Sequence, residues 1–322
     1  MKHSISFVLL LGLICGGGGV LAQDSSCDRA CLADGLDEFL TAIVANDPSG
    51  APLFIGFRQT ENATVVPLGR GLWSTASALG PVQRRFYDPV NGSAAFLGIV
   101  EEGDSSAIAS LRLRIVNREI AEAEWYIGRQ GDPGINGPPE PGEPGGNLYD
   151  LENLIANPPP ERIVSPNERM SRTALVAIAN SYFDGLSNHE GDIIMAHPGC
   201  LRVENGLQTT GRPLPPERAD DGNEGRSDCT SGMGGFNIAM VAARRYPLVD
   251  EEAQVAFGTV VFLRNPGASQ RRLGLSEFFY IDNGRIREIH AAMFYAAPDR
   301  PVPNWPPYDG NFPLPAAIGS PR

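Results

Sequence analysis

The chain lacks the residues on which several classes of protein depend. Its 322 residues include only 4 histidines, and 26 basic against 38 acidic side chains give a formal net charge of −12. Such a surface repels nucleic acid and anionic lipid. The G-x-S-x-G, P-loop, G-x-G-x-x-G and H-E-x-x-H motifs are also absent. The sequence therefore predicts no nucleic-acid partner, and it offers no common nucleotide-binding or metal-binding signature.

Long apolar runs are absent beyond the N-terminal segment. Residues 1–22 begin with Lys2, continue as an apolar stretch and end at Ala22, a pattern that predicts a secretory signal peptide cleaved after Ala22. In the alternative, a lipoprotein signal, Cys15 would be the anchor, but Gly12 stands three residues before it where a leucine is expected. No later run is long enough to span a bilayer. We therefore expect a periplasmic or secreted protein without a membrane anchor after cleavage.

Four cysteines remain in the predicted mature chain, and an even number in an exported protein favours disulfides. Four cysteines allow three pairings. We favour Cys27 with Cys31 and Cys200 with Cys229, because each pair closes a loop within one half of the chain.

A proline- and glycine-rich segment, residues 131–168, divides the mature chain near its middle. Its composition is typical of a stiff, polyproline-rich connector. The sequence thus predicts a first domain over residues 23–130, this connector, a second domain over residues 169–298 and a proline-rich tail over residues 299–322.

The two halves repeat each other at an offset of 143 residues. Asp28 and Ser171, both good helix N-cap residues, are each followed by arginine. The apolar positions beyond them coincide, at the three- and four-residue spacing of a helix with one buried face. The matched pairs are Leu32 with Leu175, Leu36 with Ala179, Phe39 with Tyr182, Leu40 with Phe183, and Ile43 with Leu186.

The repeat continues beyond the helix. The same offset places the "EN" of "FRQTENA" over that of "CLRVENG", where Asn205 and Gly206 are typical of a hairpin turn. Near the end of each copy "NREIAEAEWYI" matches "NGRIREIHAAMF", with Glu124 over His290. Each copy therefore predicts an amphipathic helix followed by several strands, which is an α+β fold when the helix covers the sheet.

The order of elements and the signatures "TENATVVPLGRGLW" and "IANSYFDGLSNHEGD" resemble the NTF2-like superfamily, which includes SnoaL-like and ketosteroid isomerase-like proteins. The tandem arrangement is similar to that of a secreted family without an assigned function. The resemblance implies two cone-shaped domains, each with a curved antiparallel sheet around a pocket, and a pseudo-dimer of the two copies. Members of the superfamily include isomerases, dehydratases and other lyases, epoxide hydrolases, and proteins that only bind a ligand.

The last predicted strand supplies the first candidate catalytic residues. Strand alternation places His290 and Glu288 on one face, where the carboxylate could raise the basicity of the imidazole. Tyr182 replaces the Phe39 of the first copy on the buried helix stripe, and its hydroxyl could stabilise a developing oxyanion. We predict His290 as the base, Glu288 as its partner and Tyr182 as the donor. In the alternative, His290 is held by hydrogen bonds at a sheet or domain interface.

Further residues are candidates for substrate binding. Arg202 and Glu204 alternate onto one strand face, and His197 precedes them. Trp73 and Trp125 give the first copy a candidate apolar wall. A metal held by His189, His197 and Glu204 is the alternative, but the spacing fits no familiar site, so we expect neither a metal nor a cofactor.

Together these patterns predict an exported, cofactor-independent enzyme acting on a small hydroxylated or aromatic molecule. A lyase, such as a dehydratase, is the leading hypothesis. The alternatives are a non-catalytic ligand-binding or interaction protein, and an isomerase or an epoxide-type hydrolase. The expected partner is a small-molecule substrate, with a possible homodimer.

Overall fold

The protein is described from a computed structural model that covers residues 27–139, 146–211, 227–267 and 271–298. The predicted signal peptide and C-terminal tail lie outside these ranges. Within them, no helix has the length and apolar character needed to cross a membrane.

The first copy consists of one long helix and a six-stranded sheet in the order β2-β1-β6-β5-β4-β3. All neighbouring strands are antiparallel except β1 and β6, which are parallel. In chain order the elements are α1 (Arg29–Val44), β1 (Leu53–Glu61), β2 (Thr64–Val65), α2 (Leu72–Thr75), β3 (Ala78–Asp88), β4 (Ser93–Glu102), β5 (Ser105–Val116) and β6 (Glu119–Arg129).

The second copy repeats this topology in the order β8-β7-β12-β11-β10-β9, again with one parallel pair, β7 and β12. A short helix, α3 (Leu151–Ala156), interrupts the connector that we expected to be polyproline-rich throughout. The remaining elements are α4 (Arg172–Asn188), β7 (Ala196–Glu204), β8 (Leu207–Gln208), β9 (Ile238–Asp250), β10 (Val255–Arg264), β11 (Arg272–Asp282) and β12 (Arg285–Ala296). The predicted α+β class with two tandem domains is confirmed.

Both long helices begin where their N-cap residues predict. The Asp28 carboxylate accepts a hydrogen bond from the Cys31 amide at 2.9 Å, and the Ser171 hydroxyl accepts one from the Ala174 amide at 3.4 Å. The matched apolar positions are all buried against the sheet of their own copy, as the helical spacing predicted. Burial of this stripe stabilises each domain, at about 25 cal/mol per Å² of apolar surface removed from water.

The shared "EN" ends the first strand of each copy. Asn62 and Asn205 take positive φ angles of 48° and 43° in tight turns, which confirms the hairpin prediction. Each asparagine side chain also bonds the backbone of the last strand. Asn62 exchanges two hydrogen bonds with Ile127, and Asn205 exchanges two with Met293. The repeated asparagine therefore joins the turn after the first strand to the last strand of each sheet.

The two sheets pack against each other through the faces that the helices leave uncovered. A buried cluster joins strands β3, β4, β9, β10 and β11 across the boundary, and Ser110 hydrogen bonds Ser276. These serines occupy equivalent register positions, opposite Tyr126 in β6 and Ala292 in β12. The two copies are thus related by a pseudo-twofold axis that passes close to this pair of serines.

Two equivalent ion pairs connect the domains, one at the N-terminus of each long helix. Arg29, the first residue of α1, bonds Asp250 at the end of β9 at 2.9 Å. Arg172, the first residue of α4, bonds Asp88 at the end of β3 at 2.6 Å. Both carboxylates are fully buried and also accept backbone amides of the neighbouring domain or strand. Each helix is therefore anchored at its N-terminus to the sheet of the other domain.

Candidate functional site

The interiors of the two domains differ in one row of side chains that runs across four strands. In the first copy, cross-strand pairing aligns Glu61, Trp125, Leu111 and Phe96. In the second copy the aligned residues are Glu204, Ala291, Glu277 and Gly258. Residues paired in this way lie side by side on one face of a sheet. Alanine and glycine thus replace two large aromatic side chains in the second domain, and a carboxyl group replaces a leucine.

Aromatic side chains fill the interior of the first domain. Trp73 packs edge-on against Phe39 with ring centroids 5.3 Å apart, and its indole donates to Gln59 at 2.7 Å. Trp125 lies on the other side of the same phenylalanine, and both tryptophans are about 1% exposed. The tryptophans predicted to bind substrate are therefore buried in the hydrophobic core of the first domain.

The second domain instead contains a cavity of about 270 Å³ on the helix side of its sheet. Both polar and apolar groups face it. Strand β7 contributes Arg202 and Glu204, and the connector covers part of the opening with Leu148 and Asn136. The apolar wall is formed by Phe236, Ile238, Phe262, Leu273, Met293 and Tyr295.

Arg202 is the best-fixed polar group in this cavity. Its Nη1 donates to the Tyr182 hydroxyl at 2.8 Å and its Nε to the Thr209 hydroxyl at 2.9 Å. The Glu204 carboxylate lies 3.5 Å from Nε, and the Phe236 ring packs on the guanidinium at 5.5 Å. Burial raises the pKa of the Tyr182 phenol, so it stays protonated. Arg202 thus contacts both Tyr182 and Glu204.

Glu277 is the functional candidate that the sequence analysis missed. It is 1% exposed, on the same face of β11 as Leu275 and Phe279, and its Oε2 has no hydrogen-bond partner among the described residues. Burial, and then the negative charge of Glu204, raise the pKa of Glu277 well above its ordinary value, although Arg202 opposes them. Burial and Glu204 therefore favour the protonated form of Glu277 behind the cavity wall.

One signal in the sequence could have found Glu277. It stands in "LGLSEFFYID", a continuous apolar strand that otherwise contains no charge before its last residue. Aligning Ile120 with Ile286 places Leu111 over Glu277, which singles out this carboxyl group as the polar difference between the copies.

His290 and Glu288 face away from the cavity. They hydrogen bond each other at 3.0 Å, as strand alternation predicted. The helix-covered face of β12, however, carries Ile289 and Met293, whereas Ala292 and Phe294, on the face of His290, pack against the first domain. Because β12 presents this face to the other sheet, the expectation that His290 lines the pocket of its own domain is wrong. It lies at the domain interface.

The other histidines are also outside the cavity. His197 bonds Asp282 at 2.6 Å near the start of β7, and His189 ends α4 with its ring against the Met233 carbonyl at 3.3 Å. In the part of the chain that the structure describes, no three histidine, cysteine or acidic residues are grouped to hold a metal ion. The cysteines pair as predicted, Cys27 with Cys31 and Cys200 with Cys229.

Comparison with known proteins matches one family model, a domain of unknown function (DUF8021), over residues 168–293. This range covers the second domain, which contains the cavity. No curated protein matches the chain.

Solved structures similar to the chain include three that align with less than half of it. A protein of unknown function with a cystatin-like fold from Methylobium petroleophilum is 18% identical, covering 41% of this chain and 82% of its own, with a TM-score of 0.30. An NTF-2 like protein of unknown function from Burkholderia xenovorans is 9% identical, covering 40% and 88%, with a TM-score of 0.28. AusH from Aspergillus nidulans is 11% identical, covering 39% and 86%, with a TM-score of 0.28.

Proposed function

We propose that the second domain binds a small hydroxylated or aromatic molecule and catalyses proton abstraction without a cofactor, as a lyase such as a dehydratase does. One observation carries the proposal. Glu204 and Arg202 line the same partly apolar cavity, while large aromatic side chains fill the equivalent space of the first domain. A base beside a cation in a partly apolar cavity is an arrangement suited to proton abstraction.

Glu204 is the base in this proposal, because it is the carboxylate that faces the cavity, with 18% of its side chain exposed. Arg202 stabilises the negative charge that develops on the substrate as the proton leaves. Tyr182 and Thr209 hold the guanidinium in place from the wall side. Tyr182 is therefore a positioning residue, and its predicted role as a direct donor passes to Arg202.

Glu277 supports this arrangement by staying neutral. An ionised carboxylate so close to Arg202 would neutralise the guanidinium and weaken its attraction for an anionic transition state. Because burial and the negative charge of Glu204 raise the pKa of Glu277, Glu277 favours its protonated form and adds no second negative charge to the one that Glu204 places beside Arg202.

Elimination of 5-nitrobenzisoxazole tests the proposal without knowledge of the natural substrate. A base removes the proton on carbon, the N–O bond breaks, and a coloured phenolate forms. We expect the protein to accelerate this reaction with saturation, and E204Q to reduce the rate about 100-fold.

E61Q is the matched control, because Glu61 holds the equivalent position in the filled first domain. It should retain the wild-type rate per folded molecule. Equal rates for E204Q and wild type, or an equal loss in E61Q, would contradict the assignment of Glu204 as the base.

A second candidate function, ligand binding without catalysis, is favoured by the burial of Tyr182 and Glu277 behind the cavity lining. In that case the probe would bind with saturation, and its elimination rate would equal that of E204Q. The same experiment therefore separates the two functions.

A further inference from the structure

A second cavity, of about 450 Å³, lies between the two domains, away from the site of the proposed function. Strand β3 of the first domain forms one wall, and Ala253 and Tyr280 of the second domain form another. Residues 160–163 of the connector cover it. Four arginines line this interdomain cleft, which is notable in a chain with a net charge of −12. They are Arg29, Arg84, Arg85 and Arg162.

Two of these guanidinium groups are held by backbone carbonyls and are only weakly neutralised. Arg84 donates to the carbonyls of Pro159 and Gln83, and its nearest carboxylate, Glu161, is 3.9 Å away and 86% exposed. Arg29 and Arg85, by contrast, have carboxylates at 2.9 Å and 2.8 Å. The charge of Arg84 is therefore available to a bound anion.

Arg162 likewise has no carboxylate in close contact among the described residues. It donates to the carbonyls of Ala253, Gln254 and Ile281, and its carboxylate, Asp282, is 3.7 Å away. Asp282 is shared with His197 and Arg287. Burial lowers the pKa of Arg162 despite Asp282, which is the expected result when a cation is desolvated without a close anion.

Tyr280 places an unused hydrogen-bond donor in the same cleft. Its side chain is about 1% exposed, and its hydroxyl has no hydrogen-bond partner within the described ranges. The charges of Arg84 and Arg162 act on this hydroxyl, and those of Glu288 and Glu161 oppose them. The Arg162 guanidinium lies 5.5 Å from the centroid of the ring. Buried hydroxyls are nearly always partnered, so this one points to a missing acceptor.

The pseudo-twofold arrangement identifies that acceptor. Arg84 and Arg245 hold equivalent register positions, opposite Leu97 and Thr259. On one side of the interface Arg245 forms a close ion pair with Glu124. On the other side His290 occupies the position of Glu124, so no carboxylate stands at that position to pair with Arg84. The neighbouring carboxylate of β12, Glu288, hydrogen bonds His290. The carboxylate of Glu124 therefore lies beside Arg245 on one side of the interface. On the other side, the interdomain cleft lies beside Arg84.

We infer that the interdomain cleft binds the carboxylate group of a small organic molecule, held by Arg84, Arg162 and the Tyr280 hydroxyl. The apolar part of such a molecule would pack on Phe86 and Ile163, which line the same cleft. Guanidinium groups recognise carboxylates with paired hydrogen bonds, and the apolar wall favours a carboxylate with an aryl body over a bare anion.

Binding of 4-fluorobenzoate, followed by fluorine NMR on the full chain, tests this inference. We expect saturable binding, and at least tenfold weaker binding of the neutral isostere 4-fluorobenzamide. Y280F should weaken 4-fluorobenzoate binding about tenfold, because it removes one hydrogen bond to a charged group. Since the hydroxyl has no partner in the unliganded protein, the thermal unfolding midpoint of Y280F should not fall.

Y246F is the matched control, because the Tyr246 hydroxyl bonds Asn180 away from the cleft. It should bind 4-fluorobenzoate as the wild type does, and so should E204Q, which separates this site from the proposed catalytic one. Absence of binding at about 10 mM, equal affinity in Y280F, or binding of inorganic phosphate alone would each overturn the inference.

Discussion

A single residue, Glu277, distinguishes the interior of the second domain most clearly in chemical terms. The first copy has Leu111 at the equivalent position, paired with Trp125 and Phe96 in its own sheet. A leucine there contributes to a dry core, whereas a carboxyl group is retained at a cost unless it remains protonated. The raised pKa of Glu277 therefore makes the unfolding free energy depend on pH.

E277Q should remove a pH-dependent loss of stability. The unfolded chain releases this proton above its ordinary pKa of 4.5, while the folded chain retains it because the folded pKa is raised. Between these two pKa values the folded state binds more protons, so the wild type loses up to about 1.4 kcal/mol of unfolding free energy per pH unit as pH rises. Urea denaturation from pH 4 to pH 8 measures this slope.

The difference between E277Q and wild type should therefore grow as pH rises above 4.5. E119Q, at an exposed position, serves as the control and should follow the wild type. Parallel curves for E277Q and wild type would show that Glu277 ionises normally in the folded protein.

At the scale of elements, strand β7 carries both Arg202 and the disulfide between Cys200 and Cys229. The Cys200 carbonyl accepts a hydrogen bond from the Thr210 hydroxyl, which itself accepts from the Arg202 amide at 2.8 Å. The disulfide and the cavity are thus linked through three residues of one strand and its hairpin.

Replacing both Cys200 and Cys229 with serine should lower the unfolding free energy by about 3–4 kcal/mol, because the bridge closes a loop with a sequence separation of 29. The 5-nitrobenzisoxazole rate should fall as well, as Arg202 loses part of its support. The double serine variant of Cys27 and Cys31, separated by 4 residues, should cost only about 2 kcal/mol and leave the rate unchanged. Equal effects of both variants on the rate would contradict the link to the cavity.

The elements of this fold were largely predictable from the sequence, because the same pattern of caps and apolar residues occurs in both halves of the chain. The caps Asp28 and Ser171, the buried helix stripe and the hairpin at Asn205 each rest on local rules. The disulfide pairing followed from the division into halves. Helix α3 was missed because its six residues lie inside a proline-rich segment.

The candidate site was only partly predictable, since strand alternation defines two faces without saying what covers each one. The faces on which Tyr182, Arg202 and Glu204 lie were predictable, because a helix stripe or a short spacing defined those faces. His290 was assigned to the wrong surroundings, because its neighbours Ala292 and Phe294 are apolar on account of the other domain. Only tertiary packing distinguishes an interface of this kind from a pocket.

At the scale of the whole molecule, the paired ion pairs Arg29–Asp250 and Arg172–Asp88 join each helix to the opposite sheet. In each pair the carboxylate is at most 1% exposed and the arginine about a quarter exposed. Removing one partner leaves the other desolvated without compensation. These pairs therefore stabilise the arrangement of the two domains.

D250N and D88N should each lower the unfolding free energy by about 2–3 kcal/mol, less than for a fully buried pair because the arginines reach solvent. The pseudo-twofold relation predicts similar losses for the two variants. D37N breaks an ion pair with Arg85 inside the first domain whose carboxylate is 58% exposed, so it should cost less than about 1 kcal/mol. Urea denaturation compares all three, and an equal cost for D37N would show that the interdomain pairs have no special role.

The connector gives this pairing of domains a property that separate chains would lack. Two free subunits joined by such an interface would come apart on dilution, since their association depends on concentration. Here residues 131–168 hold each sheet within reach of the other, at a local concentration of the order of millimolar. The assembly therefore forms by a first-order process, and dilution of the protein does not separate its two halves.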